Sequence, residues 1–127
     1  MIRMPRCKEV PINLIRDISC FSKAALGRPL YEYQLRPLYP IIDSIRQRHG
    51  REYLLLFSRQ SGKNEAMAQL LVYLLNVLRH KGGHMVFAAT GDGIGRGVRR
   101  LEERLNNRFN RDEWRKTSLS ASLACSL

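Results

Sequence analysis

Tyr53-Leu54-Leu55-Leu56-Phe57-Ser58-Arg59-Gln60-Ser61-Gly62-Lys63-Asn64-Glu65 joins a short apolar run to a polar stretch that opens a long helical pattern. The run is too brief for a helix of its own. A continuous apolar stretch of this length is typical of a strand buried on both faces of a parallel sheet. Beyond the polar stretch, Met67, Leu70, Leu71, Leu74, Leu75 and Leu78 recur at i, i+3, i+4, i+7 spacing, with Val72, Tyr73 and Val77 widening the apolar surface. That pattern predicts a largely buried helix. Lys81-Gly82-Gly83 breaks it, residues 85–89 read as a second buried strand, and Thr90-Gly91-Asp92-Gly93 as the turn that follows. Strand, helix, strand is a right-handed crossover unit.

The polar stretch has the parts of a phosphate-binding loop. Such a loop needs backbone N–H groups converging on an anion, a helix N-terminus behind them, a glycine where the backbone must come close, and a lysine for the outer phosphates. Gly62 and Lys63 supply the last two. The common GxxxxGK[ST] form is not met, because Phe57 stands at the first glycine and Asn64 where a hydroxyl would hold magnesium. Gly-Lys alone says little. Its position between an apolar run and a long helix makes the pattern usable.

Working outward, Leu14, Ile15, Ile18 and Phe21 recur at helical spacing between residues 11 and 25, with Gly27 as a stop. Arg28-Pro29-Leu30-Tyr31-Glu32-Tyr33-Gln34 is a connector. Leu38, Ile41, Ile42 and Ile45 then mark a second helix ended by Gly50. Ile94, Val98, Leu101, Leu105 and Phe109 form the core stripe of a helix over 94–109. Arg96, Arg100, Arg104 and Arg108 recur at i+4 on its other face. Like charges at that spacing are unfavourable in an isolated helix. Glu102, Glu103 and Asp112 offset some of them, but Arg104 has no acid three or four residues away. The stripe is either a solvated face or a track for a DNA backbone. Gly91, Gly93, Gly95 and Gly97 do not make a dinucleotide fingerprint, since Arg96 occupies the place of the third glycine.

The 127 residues suffice for one domain, and 44% apolar content is that of a globular chain. No run is long enough to span a membrane and the N-terminus lacks the apolar stretch of a signal peptide, so a cytoplasmic protein is expected. The 3 cysteines are dispersed without CxxC spacing, which points to neither a disulfide framework nor a zinc site. A net charge of +11 favours polyanionic partners, nucleic acid or nucleotide.

Phe57-Ser58-Arg59-Gln60-Ser61-Gly62-Lys63-Asn64-Glu65 resembles the deviant Walker A loop of phage terminase large subunits, the ATPase motors that package viral DNA. Leu30-Tyr31-Glu32-Tyr33-Gln34 is similar to the adenine-recognition segment of that family, and Val86-Phe87-Ala88-Ala89-Thr90 to its second strand and threonine turn. The resemblance runs from about Leu30 to Leu105. It implies an α/β, P-loop NTPase-like parallel sheet with flanking helices, incomplete at the C-terminal side. In that scheme residues 1–29 form an N-terminal helical segment, 30–109 the P-loop core, and 110–127 an unassigned tail.

By position, Lys63 would contact the β- and γ-phosphates of ATP, with Gln60, Ser61, Gly62 and Asn64 around them and Arg59 as a second cation. Gln34 would bond adenine through its amide, with Tyr33 or Tyr31 stacked on the ring. Mg2+ would accompany ATP. Duplex DNA, the terminase small subunit and the portal would be partners. Hydrolysis in this family also needs an apolar strand ending in Asp-Glu. Asp112-Glu113 follows no such strand, and the acidic cluster of the family's nuclease domain is absent. Two rival readings stay open: a basic DNA-binding module that happens to contain Gly-Lys, and a gene remnant whose tail departs from the family after about Arg115.

Overall fold

Residues 63–77 carry apolar side chains almost all round the helical cylinder, and the fold is organised around that helix. The computed structural model describes residues 11–58, 60–79, 81, 85, 86, 88, 93–107, 109–111, 114–116 and 121–123. In chain order these form α1 (Ile12–Ile15), α2 (Ile18–Cys20) running into a π-helical turn (Phe21–Ala25), α3 (Glu32–Leu35), α4 (Leu38–Gln47), α5 (Lys63–Val77), α6 (Gly93–Leu105), and the strands β1 (Trp114–Lys116) and β2 (Ala121–Leu123). The core joins Ile18 and Phe21 to Leu38 and Ile42 of α4, to Leu70, Val72, Tyr73 and Leu74 of α5, and to Leu105 of α6. No described helix is long and apolar enough to cross a membrane.

The expected parallel sheet is absent from the described residues, which corrects the α/β assignment. Residues 53–57 form no strand. Leu54 is 86% exposed and Leu56 87%. Met85, Val86 and Ala88 of the second expected strand are also unpaired and exposed, Val86 at 90%. The rest of 85–89 and most of the 90–93 turn lie outside the described residues. An apolar run shows a tendency to be buried, whereas a sheet requires partners for each backbone N–H and C=O. The described strands are instead the short antiparallel pair β1 and β2, with Trp114 opposite Leu123 and Lys116 opposite Ala121. They lie in the tail left unassigned from the sequence.

Two helices depart from their expected bounds because a side chain competes with the helical ladder. Asp17, at φ −137°, accepts from Ser19 N–H at 3.0 Å and so starts α2 afresh inside the helix expected over 11–25. At the end of α6, Asn107 accepts from Phe109 N–H at 2.9 Å and Asn110 N–H at 3.2 Å, while its Nδ2 donates to Arg104 O at 2.7 Å. These bonds turn the chain four residues before the expected end at Phe109.

Two buried polar contacts fix the bundle. Tyr73 packs edge-on against Phe21, with ring centroids 5.5 Å apart. Its hydroxyl donates to Ile15 O at 2.8 Å and accepts from Arg46 Nη2 at 2.8 Å. Burial raises the Tyr73 hydroxyl above its ordinary pKa; nearby Arg46 opposes this and Asp17 adds to it. Asn76 of α5 and Asn110 exchange amide hydrogen bonds at 3.1 and 2.9 Å, and Asn110 is 0% exposed. Because each amide satisfies the other, Asn110→Ala should lower unfolding free energy by about 1–3 kcal/mol by stranding Asn76. Urea denaturation measures this, and an unchanged midpoint would show that the amide pair does not hold the turn to α5.

Candidate phosphate-binding site

α5 begins at a backbone position that suits glycine. Gly62 has φ +83°, and a Cβ there would run into Gln34 Nε2. Gly62 O accepts from Ala66 N–H at 3.0 Å and from Gln34 Nε2 at 3.0 Å. The first-turn N–H groups of α5 have no side-chain cap. A left-handed residue followed by helical ones turns successive N–H groups to one side, a concavity that suits an anion. Lys63 is exposed at the first helical position and makes no ion pair among the described residues.

A cavity of about 720 Å³ opens on this turn, lined by Gln60, Ser61, Gly62, Lys63 and Asn64 on one side and by Arg96, Gly97 and Arg100 of α6 on the other. A second cavity of about 310 Å³ shares Gln60, Ser61, Gly62, Glu65 and Arg100 with it and adds Tyr31, Tyr33 and Gln34. The loop and the aromatic segment, 28 residues apart in sequence, thus meet.

Gln34 is a strut in this arrangement. It is 5% exposed, its Oε1 accepts from Tyr31 N–H at 2.9 Å, and its Nε2 holds Gly62 O. The two atoms expected to read adenine are therefore engaged within the protein. Tyr33 Oη donates to Ser61 O at 2.7 Å, and its ring stacks on that of Tyr31 at 5.8 Å. Tyr31 is 70% exposed. Arg59 lies outside the described residues.

The arginine stripe divides. Arg104 is 8% exposed, and its Nε lies 2.8 Å from Glu65 Oε1 as an ion-pair contact. Arg104 Nη2 donates to Glu65 Oε2 at 3.2 Å and Arg100 Nη1 donates to the same oxygen at 3.0 Å. Arg96 stays exposed in the first turn of α6, and Arg108 lies outside the described residues. Sequence reasoning missed Glu65 as the partner of these arginines. The signal was Arg104, which has no acid three or four residues away on its own helix and so calls for one from another element.

Comparison of the chain with known protein families, with curated proteins and with solved structures finds no match. The site is read from its own chemistry. Among the described residues no group of three or more His, Cys, Asp or Glu is placed to hold a metal. Asn64 brings an amide where a hydroxyl was sought, and Glu65, the only carboxylate among the described cavity residues, is held by Gln69, Arg100 and Arg104.

Burial alone would raise the Glu65 carboxyl, but hydrogen bonds from Gln69 and Arg100 and the charge and bonding of Arg104 outweigh it and hold it below its ordinary value of 4.5. A lowered folded-state pKa stabilises the fold fully above the ordinary value, and the gain is lost as pH falls through the folded-state value. The stability difference between the native chain and Glu65→Gln should therefore be constant above about pH 5 and shrink below it. Thermal melts across the acid range down to the folded-state pKa of Glu65 measure it, and a pH-independent difference would exclude Glu65 as the acid-sensitive link between α5 and α6.

Proposed function

We propose that the chain binds a nucleoside triphosphate, ATP by resemblance, with its phosphates on the turn that opens α5. One observation carries the proposal: left-handed Gly62 sets Lys63 and the uncapped N–H groups of a 15-residue helix at the mouth of a cavity whose one described carboxylate is engaged elsewhere. Helix N-termini bind anions because unsatisfied N–H groups and the helix dipole act together. A lysine at the first helical position adds a full charge.

The terminase-like motor is the proposed context. It is supported by the order of the aromatic segment and the Gly-Lys loop, and by their contact through Gln34 and Tyr33. Duplex DNA is the larger ligand of this proposal, supported by the net charge of +11, and a cytoplasmic site of action belongs to it. Of the arginine stripe, exposed Arg96 is better placed to meet DNA than Arg104. Hydrolysis is not part of the proposal, because no described carboxylate is free to direct water in the cavity.

Calorimetric titration with ATP and with inorganic triphosphate tests the reading. Lys63→Ala should weaken both by at least about tenfold, the usual scale for losing a charge-assisted hydrogen bond. Gln34→Ala should weaken both to a similar extent, because it releases Gly62 from Tyr31. Unchanged binding in Lys63→Ala would refute the site. A Gln34→Ala loss confined to ATP would show that this amide reads the base.

A further inference from the structure

We infer that Arg96 is the residue that distinguishes a nucleoside triphosphate from a diphosphate, meeting the outermost phosphate from the α6 side of the cavity; the inference rests on the nucleotide site proposed above. The charged residues described around the cavity are Lys63, Glu65, Arg96 and Arg100. Glu65 is answered by Arg100 at 3.0 Å and by Arg104 at 2.8 Å. Lys63 and Arg96 remain, one on each helix, with no ion pair among the described residues. Both line one cavity of about 720 Å³, which exceeds the needs of a single phosphate and admits an anion that meets both.

The local energetics of α6 point the same way. Arg96 lies in the first turn, where the helix dipole disfavours a cation and where none of residues 93–96 is an acid. Arg100, one turn on, adds like-charge repulsion. Both unfavourable terms are relieved when an anion enters between the helices. Its guanidinium presents several donors in a planar fork that matches phosphate oxygens. Because the side chain is exposed and makes no ion pair among the described residues, it can close on the third phosphate of a ligand already seated on α5.

The test is titration of the full chain with ATP and ADP, with far-UV circular dichroism confirming that each variant keeps its helices. Arg96→Gln should weaken ATP by about tenfold and ADP by less than about twofold, while Arg96→Lys keeps part of the ATP preference. Arg99→Gln, an exposed neighbour outside the cavity lining, removes the same charge and should change neither ligand. Arg96→Gln that leaves ATP unchanged, or weakens ATP and ADP equally, overturns the inference and leaves the site on α5 standing. Native-like ATP binding in Lys63→Ala, or no binding of either nucleotide by the native chain, overturns the nucleotide reading and this inference with it.

Discussion

The carbonyl oxygen of Gly62 accepts hydrogen bonds from Ala66 N–H and from Gln34 Nε2, both at 3.0 Å, so the start of α5 and the Tyr31–Gln34 segment are held by one atom. The Gln34 amide can reach that oxygen because its other end is fixed by Tyr31 N–H. No Cβ can be tolerated at Gly62 without displacing this buried amide, and φ +83° independently favours glycine. From that constraint follow the direction of the first N–H groups of α5, the place of Lys63, and the second tether from Tyr33 Oη to Ser61 O.

A second set of contacts fixes α6. Glu65, two residues beyond Lys63, gathers Gln69, Arg100 and Arg104 around one carboxylate. Ion pairs as buried as Glu65–Arg104 add little net stability, because desolvation offsets most of the attraction. They do restrict orientation strongly, since an unpaired charge in the same place is costly. Here the result is positional: pairing Glu65 with Arg100 and Arg104 turns that face of α6 onto α5 and leaves Arg96 facing the cavity. The acid nearest the lysine thereby removes its own charge from competition with an incoming anion.

The helix that carries the candidate site, and its starting point, were legible in the sequence. The 3.6-residue period at Met67, Leu70, Leu71 and Leu74 marks α5, and Gly62-Lys63 marks its start, because both are local signals. What the sequence did not show depends on partners. Residues 53–57 have the composition of a buried strand, yet composition does not supply a neighbouring strand, and Leu54 and Leu56 face solvent. Gln34 was read as a base contact because its amide suits adenine, but the same donor and acceptor suit Gly62 O and Tyr31 N–H. Asp17 and Asn107 reset helix ends through short side-chain bonds that apolar spacing does not register.

The central claim is that an anion binds to the backbone at the start of α5, and amide chemical shifts report on that backbone directly. Titration of isotopically labelled chain with inorganic triphosphate, followed residue by residue, should move the amide resonances of Ser61, Gly62, Lys63 and Asn64 along one saturable curve. The amides of Arg46 and Arg48, basic residues that line neither cavity, should stay in place. Equal, non-saturating shifts at basic positions throughout the chain, with none larger at 61–64, would contradict the account.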